Sequence, residues 1–167
     1  MVGAAQALAF CQQNKRVLLV EKYLPAPTWL QQAPLRVSAI NLFSEDYLKD
    51  LGLWSHIESN SKCVFNHLST WEKSDNKDVQ VQKVTFSAPD INKAHLGYLI
   101  RNEALQLAAY EEFKNIANPP VILNADIDAI DQQQNLVLVS LKQDDELHKQ
   151  PIQKVSAKLL VGADGAN

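Results

Sequence analysis

Arg16-Val17-Leu18-Leu19-Val20-Glu21 is a continuous apolar run closed by an acid, and its reading decides the fold. Such a run suits a strand buried on both faces, as in a parallel sheet. Before it, Met1-Val2-Gly3-Ala4-Ala5 opens an alanine-rich stretch carrying Leu8, Ala9 and Phe10. That stretch ends in Gln12-Gln13-Asn14-Lys15, so it predicts a helix from Val2 to about Asn14 with an asparagine-containing stop. Helix, buried strand and terminal acid, in that order, match the last third of a glycine-rich dinucleotide fingerprint. Glycine lets the backbone approach a pyrophosphate, the helix N-terminus offers free amides, and an acid about 20 residues on accepts the ribose hydroxyls. Gly3 fits the last glycine and Glu21 the acid. The alternative is that Glu21 caps a strand in some other α/β protein.

The other end reads the same way. Leu159-Leu160-Val161 runs as a hydrophobic strand into Gly162-Ala163-Asp164-Gly165, a turn suited to phosphate or ribose. Both ends look like cut motifs. In a doubly wound sheet the first strand lies between the strand ending at Glu21 and a later one, here Leu159 to Gly162. The expectation is therefore an incomplete α/β domain lacking that strand, each buried backbone group left unpaired costing about 1 to 3 kcal/mol.

Between these ends, Pro25, Pro27 and Pro34 mark residues 22 to 35 as a long surface loop. Leu35 to Asn41 follows, then a helix from near Ser44 with Tyr47, Leu48 and Leu51 on one face, closed by Gly52. Trp54 and Ile57 predict a further helical turn. Leu68 to Trp71 and Val84 to Phe86 read as two strands, with Lys73 to Asp78 as a hairpin tip. A helix from Asn102 to Asn115 places Leu105, Ala108, Ala109 and Phe113 at core spacing. Beyond Pro119-Pro120 the pattern is β again: Val121 to Leu123, Ile127 to Ile130, Leu136 to Leu141 and Val155 to Val161. Asp131 to Asn135 and Gln143 to Gln150 are polar connectors.

The chain has 167 residues, 46% of them hydrophobic and 21% charged, a composition suited to one soluble globular domain. A net charge of -3 gives no basic footprint, which argues against nucleic acid. No apolar run reaches the length of about 20 residues that spans a bilayer. Leu8-Ala9-Phe10-Cys11 lacks the basic flank of a leader, so no targeting signal is read. Cys11 and Cys63 are expected as buried or half-buried thiols of a reducing compartment. His56, His67, His95 and His148 have no ligand spacing and read as surface or capping residues rather than metal ligands.

Several of these strings together carry a family resemblance: Met1 to Ala5, Val17 to Glu21, Leu35 to Asn41, Leu51-Gly52-Leu53-Trp54, Thr70-Trp71-Glu72, His95-Leu96-Gly97-Tyr98, Asn102-Glu103-Ala104-Leu105 and Leu160 to Asn167. In this order, along nearly the whole chain, they resemble the amino-terminal part of the bacterial ubiquinone-biosynthesis hydroxylases, FAD-dependent monooxygenases of the para-hydroxybenzoate hydroxylase fold. The resemblance implies a partial Rossmann-like FAD-binding domain over 1–167, with about 60–100 belonging to the start of an inserted β-rich substrate domain. It implies that Gly3 lies at the pyrophosphate turn, Glu21 at the adenosine ribose, and Arg36 near the flavin and its phosphates, where a fixed charged fork suits oxyanions. Asn102 matches a polar FAD contact at a helix start. Ala125 and Ile127 match the strand passing the adenine, contacting it through backbone. Asp164 and Gly165 match the Asp-Gly motif of the cofactor's phosphate and ribose region. The plainer alternatives are a surface salt bridge for Arg36 and a simple N-cap for Asn102.

For the parent protein the resemblance implies an aromatic hydroxylase using FAD, molecular oxygen and NAD(P)H on a prenylated phenol or benzoquinol. Its place would be cytoplasmic and peripheral to the inner membrane, with a ubiquinone-biosynthesis complex as partner. No catalytic acid or base is assigned, because the cofactor carries the chemistry. The isolated 167 residues are expected to be inactive. Two other readings stand beside this one: a truncated non-catalytic nucleotide-binding or interaction module, and another flavoprotein hydroxylase of the same fold.

Overall fold

The computed structural model describes residues 1–31, 36–71, 83–142 and 153–165. The expected hairpin tip Lys73–Asp78, the connector Gln143–Gln150, and Pro34, Leu35, Glu72, Ala166 and Asn167 lie outside the described residues. The chain is α/β and divides into two compact units, Met1–Trp29 with Ala109–Asn167, and Leu30–Ala108.

In the first unit, α1 (Val2–Gln12) buries Ala4, Ala7, Leu8 and Cys11. It stops because Asn14 turns left-handed at φ 58°, so that the Asn14 and Lys15 N–H groups return to the Cys11 and Phe10 carbonyls. β1 (Leu18–Glu21) runs parallel to β7 (Val121–Asn124), with Leu18 opposite Val121 and Glu21 opposite Asn124. The parallel pairing agrees with the apolar run, but the expected burial on both faces does not hold. Leu18 is 39% exposed, because the described ladder has only two strands and leaves its sides in solvent. β8 (Asp126–Gln132), β9 (Val137–Lys142) and β10 (Gln153–Ala157) form an antiparallel sheet in the order β10, β9, β8. Its core is Ala125, Val139 and Leu141, packed by Val20, Leu123, Val137 and Val155. β10 ends at Ala157 and not at Val161: Leu159–Gly162 is irregular, with Leu159 65% exposed. Among the described residues no strand lies beside it to supply a ladder.

The second unit contains β2 (Val37–Asn41), α2 (Leu42–Asp50), β3 (Lys62–Phe65), the antiparallel pair β4 (His67–Trp71) and β5 (Lys83–Ser87), and β6 (Gly97–Arg101) leading directly into α3 (Asn102–Phe113), whose residues from Ala109 on are counted with the first unit. β6 is the central strand, antiparallel to both β2 and β3. α2 begins two residues before the expected Ser44, because the Asn41 side chain accepts the Ser44 N–H at 2.8 Å and caps the helix. Its C-terminal turn is closed by Gly52 at φ 84°. Tyr47 faces solvent, so the buried face of this segment is Leu48 and Leu51 with Glu45 one turn earlier. α3 buries Leu105, Ala108, Ala109 and Phe113 as the spacing predicts. Cys11 is buried, whereas Cys63 is exposed, as are its neighbour Val64 and its cross-strand partner Leu99, because β3 is the outer strand of the described sheet.

Two features hold the β2–β6 end of this sheet. A Cβ built on Gly97 would lie 2.1 Å from the Ile40 carbonyl oxygen, so only glycine admits this approach of the strands. Next to it, Glu45 is 3% exposed and its carboxylate accepts from Lys49 Nζ at 2.6 Å and lies 2.7 Å from His95 Nε2. Burial alone would raise the Glu45 carboxyl, but the hydrogen bonds and charges of Lys49 and His95 outweigh it and hold the group below its usual range. Tyr98 packs edge-on against His95 and Trp54, with ring centroids 5.0 and 5.2 Å apart. The ammonium groups of Lys49 and Lys62 sit over Trp54.

Gly97→Ala is expected to destabilise the fold by about 3 kcal/mol or more, since the obstacle is backbone and cannot rotate away; the denaturant midpoint measures it. Glu45→Gln is expected to cost about 1 to 3 kcal/mol at pH 7. Because the folded carboxyl is depressed, its contribution is complete above the unfolded carboxyl value and is lost as pH falls through the lower folded value. The gap between Glu45→Gln and the unaltered protein should therefore narrow in acid, in thermal melts from pH 7 to pH 3.

Candidate cofactor-binding site

The first unit gathers most of the expected nucleotide residues around the start of α1. Gly3 lies against the C-terminal turn, where a Cβ added to it would stand 3.2 Å from the Ala163 Cβ. A larger residue would push away the segment that carries Asp164 and Gly165. Gly165 takes φ 85°, a turn conformation that glycine adopts without strain. Asp164 is exposed beside it. Glu21 closes β1, and its Oε1 accepts the Tyr23 N–H at 3.3 Å. Its charge also reaches the Met1 amine, where burial lowers the amine's pKa and Glu21 partly offsets that.

The turn after Glu21 is braced by residues that the sequence reading did not single out. Asn124 Nδ2 donates to the Glu21 and Lys22 carbonyls at 3.0 and 2.9 Å, tying the ends of β1 and β7 together. Lys22 pairs with Asp126 at 2.7 Å, and the ammonium holds the Asp126 carboxyl below its usual range. Asp126 Oδ1 in turn accepts the Ile127 N–H at 3.0 Å. Ile127 is thus placed next to the Glu21 turn, but with its backbone donor already occupied. A contact to an adenine through its backbone would have to use its carbonyl. No periodicity announces Asn124 or Asp126, since each acts through one side chain on a backbone that only folding brings near.

Tyr110 stands close enough to Glu21 to feel its charge. Burial first, and Glu21 second, push its phenol up to about 12. Its hydroxyl is buried without a hydrogen-bond partner among the described residues.

In the second unit, Arg36 and Asn102 come together at the end of the β2–β6 ladder remote from Gly97. The Asn102 N–H donates to the Arg36 carbonyl at 3.3 Å, and the Ser38 hydroxyl donates to Asn102 Oδ1 at 2.7 Å. Arg36 is exposed and its guanidinium has no partner among the described residues, so the surface salt bridge weighed above for it is not seen there. Asn102 is the first residue of α3, and its own side chain is held by Ser38. A permanently charged fork and an amide donor are each chemically suited to an oxyanion. No cluster of three or more metal-ligating side chains occurs among the described residues.

No family model matches the chain. It is similar over its whole length to the 3-demethoxyubiquinol 3-hydroxylase of Escherichia coli K12, 32% identical over 171 residues. It is likewise similar throughout to the ubiquinone biosynthesis monooxygenase COQ6 of Drosophila melanogaster, 29% identical over 176 residues. The chain spans 39% and 34% of the lengths of these curated relatives. Among solved structures, p-nitrophenol 4-monooxygenase PnpA of Pseudomonas putida DLL-E4 matches 94% of the chain with a TM-score of 0.65 at 16% identity, over 36% of its own length. The flavin-dependent monooxygenase PieE, solved with FAD and substrate, matches 98% with a TM-score of 0.64 at 17% identity, over 28% of its own length. The resemblance to ubiquinone-biosynthesis hydroxylases read from the residues is borne out by the two sequence relatives. The structural matches bear on the fold.

Tyr110→Phe removes a buried hydroxyl that has no described partner while keeping the ring and its packing on Phe113, at a centroid distance of 5.4 Å. The variant is expected to be as stable as the unaltered protein or more stable by about 1 kcal/mol, measured by urea unfolding.

Proposed function

We propose that this chain is the cofactor-binding portion of an FAD-dependent aromatic monooxygenase that hydroxylates a prenylated phenol or quinol in ubiquinone biosynthesis. The observation that carries the reading is similarity along the whole chain to two ubiquinone-biosynthesis oxygenases, and the main-chain contact that brings Arg36 to the start of α3 at Asn102 supports it. The residues present fit the cofactor. Gly3 keeps the start of α1 free of a side chain where the Asp164–Gly165 turn approaches, and Glu21 offers a carboxylate to ribose hydroxyls. Arg36 and Asn102 offer a charge and an amide to phosphate oxygens.

When bound, the flavin supplies electron transfer from a reduced pyridine nucleotide, NAD(P)H, and the activation of oxygen. This chain's own residues bind and orient. Glu21 fixes the nucleotide end through its ribose, the Gly3 and Gly165 backbone admits close approach, and Arg36 neutralises phosphate charge without any proton leaving it. No residue here needs to exchange a proton with substrate. We further place β1 and β7 in a doubly wound sheet, with a strand between β1 and Leu159–Gly162. The exposed apolar side chains Leu18, Leu159 and Val161, and the pairing of β1 with β7 alone among the described residues, support that placement. Residues of the Leu30–Ala108 unit from about 60 to 100 would begin the sheet of an inserted substrate domain. No helix among the described residues is long and apolar enough to cross a membrane. The similarity to ubiquinone-biosynthesis oxygenases, whose product is a lipid, is what supports placing the whole protein in the cytoplasm, taking its substrate at the face of the inner membrane in company with other enzymes of the same biosynthesis.

The test is FAD binding, followed by flavin fluorescence quenching, for the 167-residue chain and for a longer chain extended with the remainder of such an enzyme. The longer chain is expected to bind FAD, and Arg36→Ala in it to weaken binding by about 10-fold or more, the loss of a charge-assisted contact. Failure of both chains to bind flavin would sink the reading.

A further inference from the structure

The Ser38–Asn102 hydrogen bond does something that neither residue's position alone would do. A side-chain amide has an acceptor end and a donor end of nearly equal size, and without a partner it presents either one. Here the Ser38 hydroxyl donates to Asn102 Oδ1 at 2.7 Å, in a half-buried setting, while the Asn102 main-chain N–H is held by the Arg36 carbonyl. The acceptor end is therefore taken. The Nδ2 amino group, which has no partner among the described residues, is the end left for a ligand.

We infer that Ser38 is a positioning residue: it orients the Asn102 amide so that Asn102 acts as a hydrogen-bond donor to an anionic oxygen, the pyrophosphate of the dinucleotide, at the start of α3 where the main chain of Arg36, whose guanidinium has no partner among the described residues, meets it. This rests on the flavin-binding reading above and adds to it a residue and a polarity. Ser38 lies on β2 opposite Ile100 of β6, so the strand register brings its hydroxyl to the first residue of α3. Glutamine or aspartate chemistry would not serve equally. A carboxylate at Asn102 would turn an acceptor toward the phosphates, and a flipped amide would do so in part. Loss of the Ser38 hydroxyl would let the amide sample both orientations, so that binding must first select one.

The experiment titrates FAD and riboflavin, which lacks the phosphates, into the FAD-binding protein and its Ser38→Ala, Ser38→Thr, Asn102→Ala and double Ser38→Ala/Asn102→Ala variants. Ser38→Ala is expected to raise the Kd for FAD by about 3- to 10-fold, the size of one oriented hydrogen bond, and to leave riboflavin binding unchanged. Ser38→Thr, which keeps the hydroxyl, should restore FAD binding. In the Asn102→Ala background the Ser38 change should have no further effect, because its route to the cofactor is gone. Equal losses for FAD and riboflavin, or an additive loss in the double variant, would show a merely structural role and overturn the inference. FAD binding that Ser38→Ala leaves untouched overturns it as well, with the flavin reading intact. Absence of FAD binding by the unaltered protein removes the flavin reading and the inference together.

Discussion

The register of β2 against β6 is the constraint from which the geometry of the Leu30–Ala108 unit follows. Asn41 stands opposite Gly97 at one end of the ladder and Val37 opposite Arg101 at the other. A slip of one residue would turn every side chain to the other face. Ser38 would then leave Asn102, and Arg36 would lose the carbonyl contact that ties it to the start of α3. Gly97 defends the register sterically, because the Ile40 carbonyl occupies the space where any side chain would begin. Glu45 and His95 add a polar tie at the Asn41–Gly97 end, since Glu45 follows β2 on α2, His95 precedes β6, and the two meet at 2.7 Å.

The two defences differ in kind. The glycine acts by excluding alternatives, and it is indifferent to pH or salt. The Glu45 network takes a carboxylate almost wholly out of water, which is costly, and offsets that with the Lys49 ammonium and a hydrogen bond to the His95 ring. Its partner Lys49 is half exposed, so its share is screened, and the nearer contribution is the buried side facing His95 and Tyr98. The His95 ring adds packing on Tyr98 to its polar contact. A histidine without ligand spacing reads as bland in the sequence, yet it is a central part of this corner of the unit.

In the other unit the same division of labour appears at the end of β1. The ladder to β7 sets where Glu21 stands, and Asn124 and the Lys22–Asp126 pair set the path of the chain beyond it. These are single side-chain contacts between residues about a hundred positions apart. Each surface contact is worth little alone, but together they leave the Glu21 carboxylate at a defined place, with the Asp164–Gly165 turn packed on Gly3 near the start of the helix.

Local chemistry was legible in the sequence. The helix over Val2–Gln12 and its asparagine stop, the glycine that closes α2, the core face of α3 and the strands of the β8–β9 hairpin all follow from periodicity and from residues whose backbone preferences act within a few positions. The ordered strings that mark the flavoprotein resemblance were legible too, because they are strings. What the sequence could not decide was whatever depends on a partner strand or a distant side chain. An apolar run states that burial is wanted, not that a neighbour is there, and so among the described residues Leu159–Gly162 lies outside any ladder and Leu18 stays half in water. The Glu45–His95 pair, the Asn124 clamp and the Ser38–Asn102 hydrogen bond join residues that only tertiary folding makes neighbours, and hydrogen-bond direction is a property of that meeting rather than of either residue.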